Sequence, residues 1–429
     1  MLRVFFSISA LLSGVVVLGL ANGMLFTLLG IRMSIDGVSD AMIGIVGSAY
    51  FAGMLGGTLV CPRVIGRVRH IRAFTVFAAV SAVAALLHPL FPEVWVWAIL
   101  RAAMGFAMAG LFMVSESWLQ FKATNETRGR TFALYILAHT AGVGLGPLLV
   151  NLADPAGYEL FAMASILFSI ALLPVALTST GNPELGESGR FGVRDLFAIS
   201  PVAVVGSFVI GLVIGALTSL GPVYADRIGL SAVAITVFMT AMRIGGFAVQ
   251  YPVGSLSDRF DRRHVMVALA LVTAAVSFVF VGVGAAAPVT ILLLICLFGA
   301  ASQPLYSLVV AHANDHVEPD QFVATSAGLL FAYGVGASVG PIIAAAAMGW
   351  LGAAGLFLYT AVVALGFCAF IVHRMRARAP VPSERKRGFV WSVRNSPVAA
   401  LFDPRAPREK AVDPERQGIE RNLENLRWR

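Results

Sequence analysis

The stretch of sequence from residue 265 to residue 284 reads VMVALALVTAAVSFVFVGVG and carries no charged side chain. A bilayer core of roughly 30 Å is crossed by about 20 apolar residues in a helix. Because lipid offers the backbone no hydrogen bonds, a run of this length must be helical. Twelve such runs predict an all-α membrane protein with twelve spans: 5–29, 41–60, 73–91, 94–118, 131–150, 158–177, 201–222, 232–253, 265–284, 288–312, 322–348 and 351–373.

The composition agrees with a protein embedded in a lipid bilayer. Hydrophobic residues make up 58% of the chain and charged residues 13%, whereas soluble domains carry about 25% charged residues. The first run is too long for a signal peptide and lacks a small-residue cleavage site, so we expect it to be retained as a span. Cys61, Cys296 and Cys368 are scattered, which predicts neither a disulfide framework nor a metal site.

Basic residues are concentrated in alternate loops. They lie after spans 2, 4 and 8 and in the tail beyond span 12, whereas the loops on the opposite side carry only Arg32 and Arg227. The loop after span 10 departs from this pattern, with Asp315, Glu318 and Asp320 and no basic residue. By the positive-inside rule, the distribution of basic residues over all the loops predicts that both termini face the cytoplasm.

The chain contains an internal repeat. Residues 142–147 read GVGLGP near the end of span 5, and residues 336–341 read GASVGP in span 11, 194 positions later. Likewise, Gly37-Val38-Ser39 before span 2 matches Gly229-Leu230-Ser231 before span 8, at an offset of 192. The repeat predicts two six-span halves: residues 1–177, a cytoplasmic linker at 178–199, residues 200–373, and a basic tail at 374–429.

The tail supplies most of the net charge of +8. Residues 374–429 contain fourteen basic and seven acidic side chains. Such a composition predicts a largely disordered, solvated segment, and the alternative is contact with anionic lipid head groups or with a protein partner. The tail has no nucleic-acid-binding motif, so we expect no nucleic-acid partner.

The loop between spans 8 and 9 carries a recognisable motif. Residues 254–263 read GSLSDRFDRR and closely resemble the G-x-L-x-D-R-x-G-R-R signature of the major facilitator superfamily, with Asp261 in the usual glycine place. The resemblance implies a fold of two six-helix halves and a gate on the cytoplasmic face. At this gate the Asp258 carboxylate would interact favourably with the positive, N-terminal end of the span 5 helix, near residues 130–131.

The first-half copy of this motif is degenerate. Pro62 replaces the glycine and Gly66 replaces the acid, while Arg67 is kept, so we do not expect an equal gate in both halves. The resemblance and the nearby charges give these gate candidates: Asp258, Arg259, Arg262, Arg263, Glu116, Arg128, Arg130 and Arg67.

A second stretch points to one branch of the superfamily. Residues 116–119 read ESWL and residues 128–130 read RGR, which resembles the YcaD-like bacterial transporters. The resemblance implies a multi-pass protein of the bacterial inner membrane. Glu116 lies at the cytoplasmic end of span 4, where it is predicted to pair with Arg128 or Arg130 as part of the gate. The alternative is a role in proton coupling.

Two arginines lie inside predicted spans, where a charged residue costs roughly 2.5–3.5 kcal/mol on insertion scales. Arg101 belongs to span 4, and Arg243 belongs to span 8 with Gln250 on the same helical face. Arg101 could instead be structural, bonding carbonyls of neighbouring helices. Guanidinium groups suit carboxylate and phosphate. The substrate or coupling candidates are Arg101, Arg243, Gln250, Asn22, His139, Gln303 and Tyr306.

These features predict a secondary transporter for a small organic solute, proton-coupled and acting as a monomer. An anionic solute is favoured, because no Asp or Glu occupies the middle of any predicted span. The sequence has no G-x4-G-K-[ST] loop for ATP and no catalytic set, so neither an enzyme nor a cofactor is expected. The alternatives are proton-driven efflux of drug-like or amphipathic compounds and, from another class, a membrane sensor or assembly factor on a transporter scaffold.

Overall fold

The computed structural model describes residues 2–123, 127–176, 193–283 and 287–377, together with residues 379, 386, 388–392, 394–396 and 398. Most of the predicted linker and the tail beyond residue 398 lie outside the described residues. The described helices are α1 (Leu2–Ile35), α2 (Asp40–Val68), α3 (His70–Leu90), α4 (Val94–Lys122), α5 (Arg128–Leu145), α6 (Glu159–Ala176), α7 (Val193–Ile199), α8 (Pro201–Arg227), α9 (Ala232–Ala248), α10 (Gln250–Arg259), α11 (Arg262–Val283), α12 (Pro288–Ser302), α13 (Leu305–Asn314), α14 (Phe322–Leu351) and α15 (Ala354–Ala377).

The predicted all-α membrane fold is confirmed. Within the described residues, eleven helices are long and apolar enough to cross a bilayer, and a shorter apolar helix, Glu159–Val175, corresponds to span 6. Spans 1 to 4 are α1 to α4, span 6 is α6, span 7 is α8, span 9 is α11, and spans 11 and 12 are α14 and α15. The short helix α7 precedes span 7.

Three spans change their backbone geometry along their length. Span 5 continues from α5 into the 3-10 helix Gly146–Leu152, which has Pro147 in its first turn. Span 8 consists of α9 and α10, and span 10 consists of α12 and α13 with Pro304 between them. A proline lacks the N–H that a continuous helix needs, so the break in span 10 is expected at that position.

The repeated glycine segments perform the same packing role in both halves. A Cβ added at Gly142 in span 5 would lie 2.5 Å from the carbonyl oxygen of Val16 in span 1. A Cβ added at Gly336 in span 11 would overlap the carbonyl oxygen of Phe208 in span 7. Glycine therefore lets the two backbones of each pair approach closely.

We define the inner side as the side of the basic loops at residues 69 and 260–261, and the outer side as the side of the loops at 36–39 and 228–231. At the outer side, polar contacts join the two halves, and we call this contact region the outer seam. Its contacts are Ser34 Oγ to Asp226 Oδ2 at 2.6 Å, Arg227 Nη2 to Asp40 Oδ1 at 2.6 Å, and Asn151 Nδ2 to Thr236 Oγ1 at 2.9 Å.

Candidate functional site

Arg243 lies between the two halves. Its Nη2 donates a hydrogen bond to Thr218 Oγ1 of span 7 at 3.2 Å. Its Cβ is 3.5 Å from the position that a Cβ on Gly144 of span 5 would occupy, and it interacts electrostatically with His139 of the same span. The guanidinium is partly buried. Spans 5, 7 and 8 therefore place one cation at the junction of the halves.

Arg101 is buried within the first half, with 1% of its surface exposed. Its Cζ lies 4.2 Å from the ring centroid of Phe26 and 4.3 Å from that of Tyr50. Ring faces attract a cation, and the attraction is stronger where water is excluded. Asn22 lies near the Tyr50 side chain. Arg101 Nη1 has no hydrogen-bond partner among the described residues, so this atom retains an unused donor.

Two tyrosines connect the surroundings of the arginines. Tyr50 of span 2 lies near Arg101 and near Tyr333 of span 11. Tyr333 in turn lies near Arg243. Tyrosines from both halves therefore lie near the two arginines. Tyr333 was not among the predicted candidates, because a single tyrosine in an apolar span gives no distinctive pattern.

The polar residues of span 10 face span 8 and span 11. Gln250 Nε2 donates to Ser307 Oγ at 2.7 Å. The ring centroids of Tyr306 and Tyr333 are 5.6 Å apart. Gln303 Nε2 is buried without a hydrogen-bond partner in the described part of the chain. The candidates Gln250, Gln303 and Tyr306 therefore share one face of the second half.

The tail contributes a third arginine to this region. Arg394 Nη2 donates to Gln303 Oε1 at 2.7 Å, and Arg394 Cζ lies 5.8 Å from the Tyr306 ring and 5.6 Å from the Tyr333 ring. The sequence predicted a largely disordered tail, whereas the described residues from 388 to 396 pack against the bundle. The apolar residues 389–391 within the basic tail were the signal available for this contact.

Glu116 of span 4 is completely buried. Its Oε1 accepts a hydrogen bond from the Tyr135 hydroxyl at 2.5 Å, and its Oε2 accepts one from the Ser396 hydroxyl of the tail. Among its proposed gate partners, Arg128 is partly buried and Arg130 is exposed. The carboxylate therefore lies where the first half meets the tail.

The motif loop of the second half forms an ion network. Arg262 Nε donates to Asp315 Oδ2 at 2.7 Å, and Arg262 Nη1 donates to Asp258 Oδ1 at 3.1 Å. Asp258 Oδ2 also accepts from the backbone N–H of Phe389 at 3.0 Å. The sequence missed Asp315 as a site residue. Its pairing with Arg262 accounts for one acid in a loop that breaks the basic pattern.

Asp261, which stands in the usual glycine place of the motif, caps helix α11. Its Oδ1 accepts from the backbone N–H of Arg263 at 3.0 Å, and its Oδ2 accepts from Arg263 Nη2 at 2.8 Å. Burial raises the pKa of Asp261, but the hydrogen bonds from Arg263 outweigh burial and hold the pKa of this carboxyl below its usual range. The gate candidates Arg67 and Arg259 are exposed.

In the described residues, eleven span-length helices and one shorter apolar helix, with buried polar side chains where the halves meet, have the architecture of a membrane transporter. A sequence model of the Major Facilitator Superfamily matches residues 11–250 and 234–411, and the chain belongs to this family. The superfamily prediction is therefore confirmed. The chain is a transporter rather than an enzyme, and a multi-pass protein of the bacterial inner membrane.

Known proteins similar to this chain agree with that assignment. The Escherichia coli protein described as "Uncharacterized MFS-type transporter YcaD" is 29% identical over 340 residues, which are 79% of this chain and 88% of the relative. The solved nucleoside transporter NupG has a TM-score of 0.74 at 14% identity, covering 87% of this chain and 100% of its own. The human organic anion transporter MFSD10 has a TM-score of 0.59 at 15% identity, covering 86% and 99%.

Proposed function

We propose that this transporter moves a small organic anion across the membrane by alternating access, coupled to protons, with both termini in the cytoplasm. The observation that carries the proposal is the position of Arg243 at the junction of the halves, hydrogen-bonded to Thr218. In alternating access the halves rock around a site at their interface. A carboxylate or phosphate that binds there would contact both halves, so its binding would depend on how closely the halves approach each other.

The chemistry of the surrounding groups supports an anionic solute. The planar guanidinium fork of arginine matches a carboxylate or a phosphate. The hydrogen-bond acceptor described for Arg243 is a neutral hydroxyl, and Arg101 Nη1 keeps an unused donor. The fold is also that of a human organic anion transporter, although identity of 15% relates the folds and not the substrates.

Binding can be tested on the purified protein with a panel of carboxylates, phosphate esters, zwitterions and lipophilic cations, using thermal stabilisation. Arg243→Gln removes the charge and keeps hydrogen-bonding capacity. We expect anions to stabilise the native chain, and the variant to bind them about ten- to a hundredfold more weakly, as the loss of a charged hydrogen bond implies. Arg376→Gln is the matched control, because Arg376 is exposed and lies outside the candidate site and gate. Stabilisation by cations alone, unchanged in Arg243→Gln, would overturn the anion proposal.

Glu116 is the residue we propose for proton coupling. It is buried and hydrogen-bonded to a tyrosine, and a buried carboxyl can take up and release a proton as its surroundings change. In proteoliposomes, transport of a stabilising anion should rise with an imposed pH gradient. Glu116→Gln should abolish this dependence while leaving anion binding intact. If the variant retains the full gradient dependence, Glu116 is not the coupling group. An absence of flux for every stabilising ligand would favour a sensor.

A second candidate function has its own supporting observation. Tyr306, Tyr333 and Gln303 together hold the guanidinium of Arg394. Two ring faces and an amide oxygen would equally suit an organic cation, as an exporter of amphipathic compounds requires. Tyr306→Leu separates the two functions. If the surface formed by Tyr306, Tyr333 and Gln303 is the substrate site, this variant should bind lipophilic cations more weakly. If the substrate instead binds at Arg243, the variant should bind anions as the native chain does.

A further inference from the structure

The tail follows a defined path along the inner side of the second half. The backbone N–H of Phe389 donates to Asp258, and its ring lies over Gly254, where an added Cβ would overlap the ring. The Trp391 ring lies 5.5 Å from that of Phe247. Both residues therefore occupy the surface beside the motif loop, and Gly254 leaves the space that Phe389 fills.

The next residues penetrate between the spans. Ser307 Oγ donates to the carbonyl of Ser392 and accepts from its N–H, both at 3.2 Å. Arg394 then reaches Tyr333, eleven residues from the inner end of α14 at Phe322. At a rise of 1.5 Å per residue this is a depth of about 16 Å, which is half of the bilayer core.

The tail finally crosses to the first half. Asn395 Nδ2 lies 3.0 Å from the Tyr135 hydroxyl of span 5. The Ser396 hydroxyl donates to Glu116 of span 4. Residues 388–392 and 394–396 consequently bridge Asp258 in one half and Glu116 in the other, both of which were predicted gate acids.

We infer that the inner side between the two halves is a binding site for an extended, arginine-bearing peptide, and that the chain's own tail occupies it as a plug. The plug covers the path from the inner side to Arg243 and acts as a wedge, because the halves cannot close while residues 394–396 lie between them. Solute entry from the inner side and closure of the gate both require its release.

The balance of charges makes such a plug releasable. Arg394 and Arg243 interact electrostatically as like charges, which opposes insertion. Insertion therefore depends on a few separate hydrogen bonds, among them those to the carboxylates of Asp258 and Glu116, and on the ring contacts of Arg394. A plug held in this way can exchange with the open state without unfolding the bundle.

Disulfide crosslinking tests the position of the plug in the full-length chain with Cys61, Cys296 and Cys368 replaced by alanine. Ser307→Cys with Ser392→Cys is suitable, because both side chains are short and the two residues are in hydrogen-bond contact. We expect a 307–392 disulfide on mild oxidation, detected by mass spectrometry of a digest. Ala379→Cys in place of the substitution at 392 is the control, since residue 379 is exposed. Failure of the 307–392 pair to crosslink would overturn the proposal.

Thiol labelling tests whether the plug blocks the path, and does so without knowledge of the solute. In the same cysteine-free chain, Thr218→Cys places a thiol beside Arg243, and a membrane-impermeant charged maleimide is applied from the inner side. Replacing residues 394–396 with alanine should raise the labelling rate at least tenfold, because it removes the hydrogen bonds to Gln303, Tyr135 and Glu116.

Arg376→Ala is the matched control for the loss of charge, because Arg376 is an exposed arginine at the end of α15. It should leave the labelling rate unchanged. Equal labelling rates in the native tail and in the alanine variant would overturn the proposal. Because both measurements report on the tail and not on transport, their failure would leave the proposed function standing, and failure of the anion panel would leave the plug standing.

Discussion

The outer seam and the inner side differ in what their ion pairs join. At the outer seam, Arg227 of the second half pairs with Asp40 of the first, and the exposed side-chain fractions are 35% and 7%. At the inner side, Arg262 pairs with Asp315 within the second half, with exposed fractions of 1% and 2%. A pair that crosses the seam resists opening, whereas a pair inside one half stabilises that half and leaves opening free.

The largest expected effect is on stability, at the inner side. Asp315→Ala leaves Arg262 buried without its shortest ionic contact, and breaking a buried pair costs about 3–5 kcal/mol. We expect a marked fall in the thermal midpoint of the purified protein. Asp320→Ala is the control, because Asp320 is exposed in the same loop. If Asp315→Ala instead changed accessibility from the outer side with no loss of stability, the distinction between the two regions would be wrong.

The next effect is steric and acts on the outer seam. A Cβ at Gly44 in span 2 would lie 2.6 Å from the Cβ of Ala345 and 2.7 Å from the carbonyl oxygen of Pro341 in span 11. Gly44→Val should therefore oppose closure by about 3 kcal/mol, the upper end for overpacking. Labelling of Thr218→Cys from the outer side should become much faster. Gly56→Val is the matched control in the same helix, since nothing lies within 4 Å of its Cβ position, and it should label at the native rate.

Arg227→Gln tests the ion pair across the seam directly. It leaves the buried Asp40 without a cation, which we expect to favour opening by about 2 kcal/mol, because Arg227 itself is partly exposed. Labelling of Thr218→Cys from the outer side should rise roughly tenfold or more. Arg32→Gln is the control, because Arg32 pairs with Asp36 inside the first half at 2.8 Å. Similar labelling rates in the two variants would contradict a role for charge across the seam.

The sequence predicted the parts of this molecule that follow from local pattern. Apolar runs of span length predicted the twelve helices, and the glycine segments near 142 and 336 predicted a repeat whose glycines pack equivalently in both halves. Both signals arise from the requirements of lipid and of close helix packing, which act on neighbouring residues.

The residues that the sequence missed depend on contacts between distant segments. Asp315 looked like an exception to the charge pattern, because its partner Arg262 lies 53 positions earlier. Arg394 lies 91 positions from Gln303, in a tail whose composition is typical of a solvated segment. Their positions are determined by surfaces that several spans build together, and no short window of sequence contains them.

The smallest expected effect concerns Asp261 and its pH dependence. Asp261→Ala removes the cap of α11 and the contacts to Arg263, which we expect to destabilise the protein by about 1 kcal/mol. Because the folded pKa of this carboxyl is depressed, its stabilisation is present above the unfolded value of about 3.9 and is lost as the pH falls through the folded pKa. The difference in thermal midpoint between the native chain and the variant should therefore reach its largest value at pH 7 and shrink below about pH 4.

Arg263 and Asp261 both belong to the second half, so outer-side labelling of Thr218→Cys should stay unchanged in the Asp261→Ala variant. A change in the labelling rate would show that this inner ion pair also controls opening.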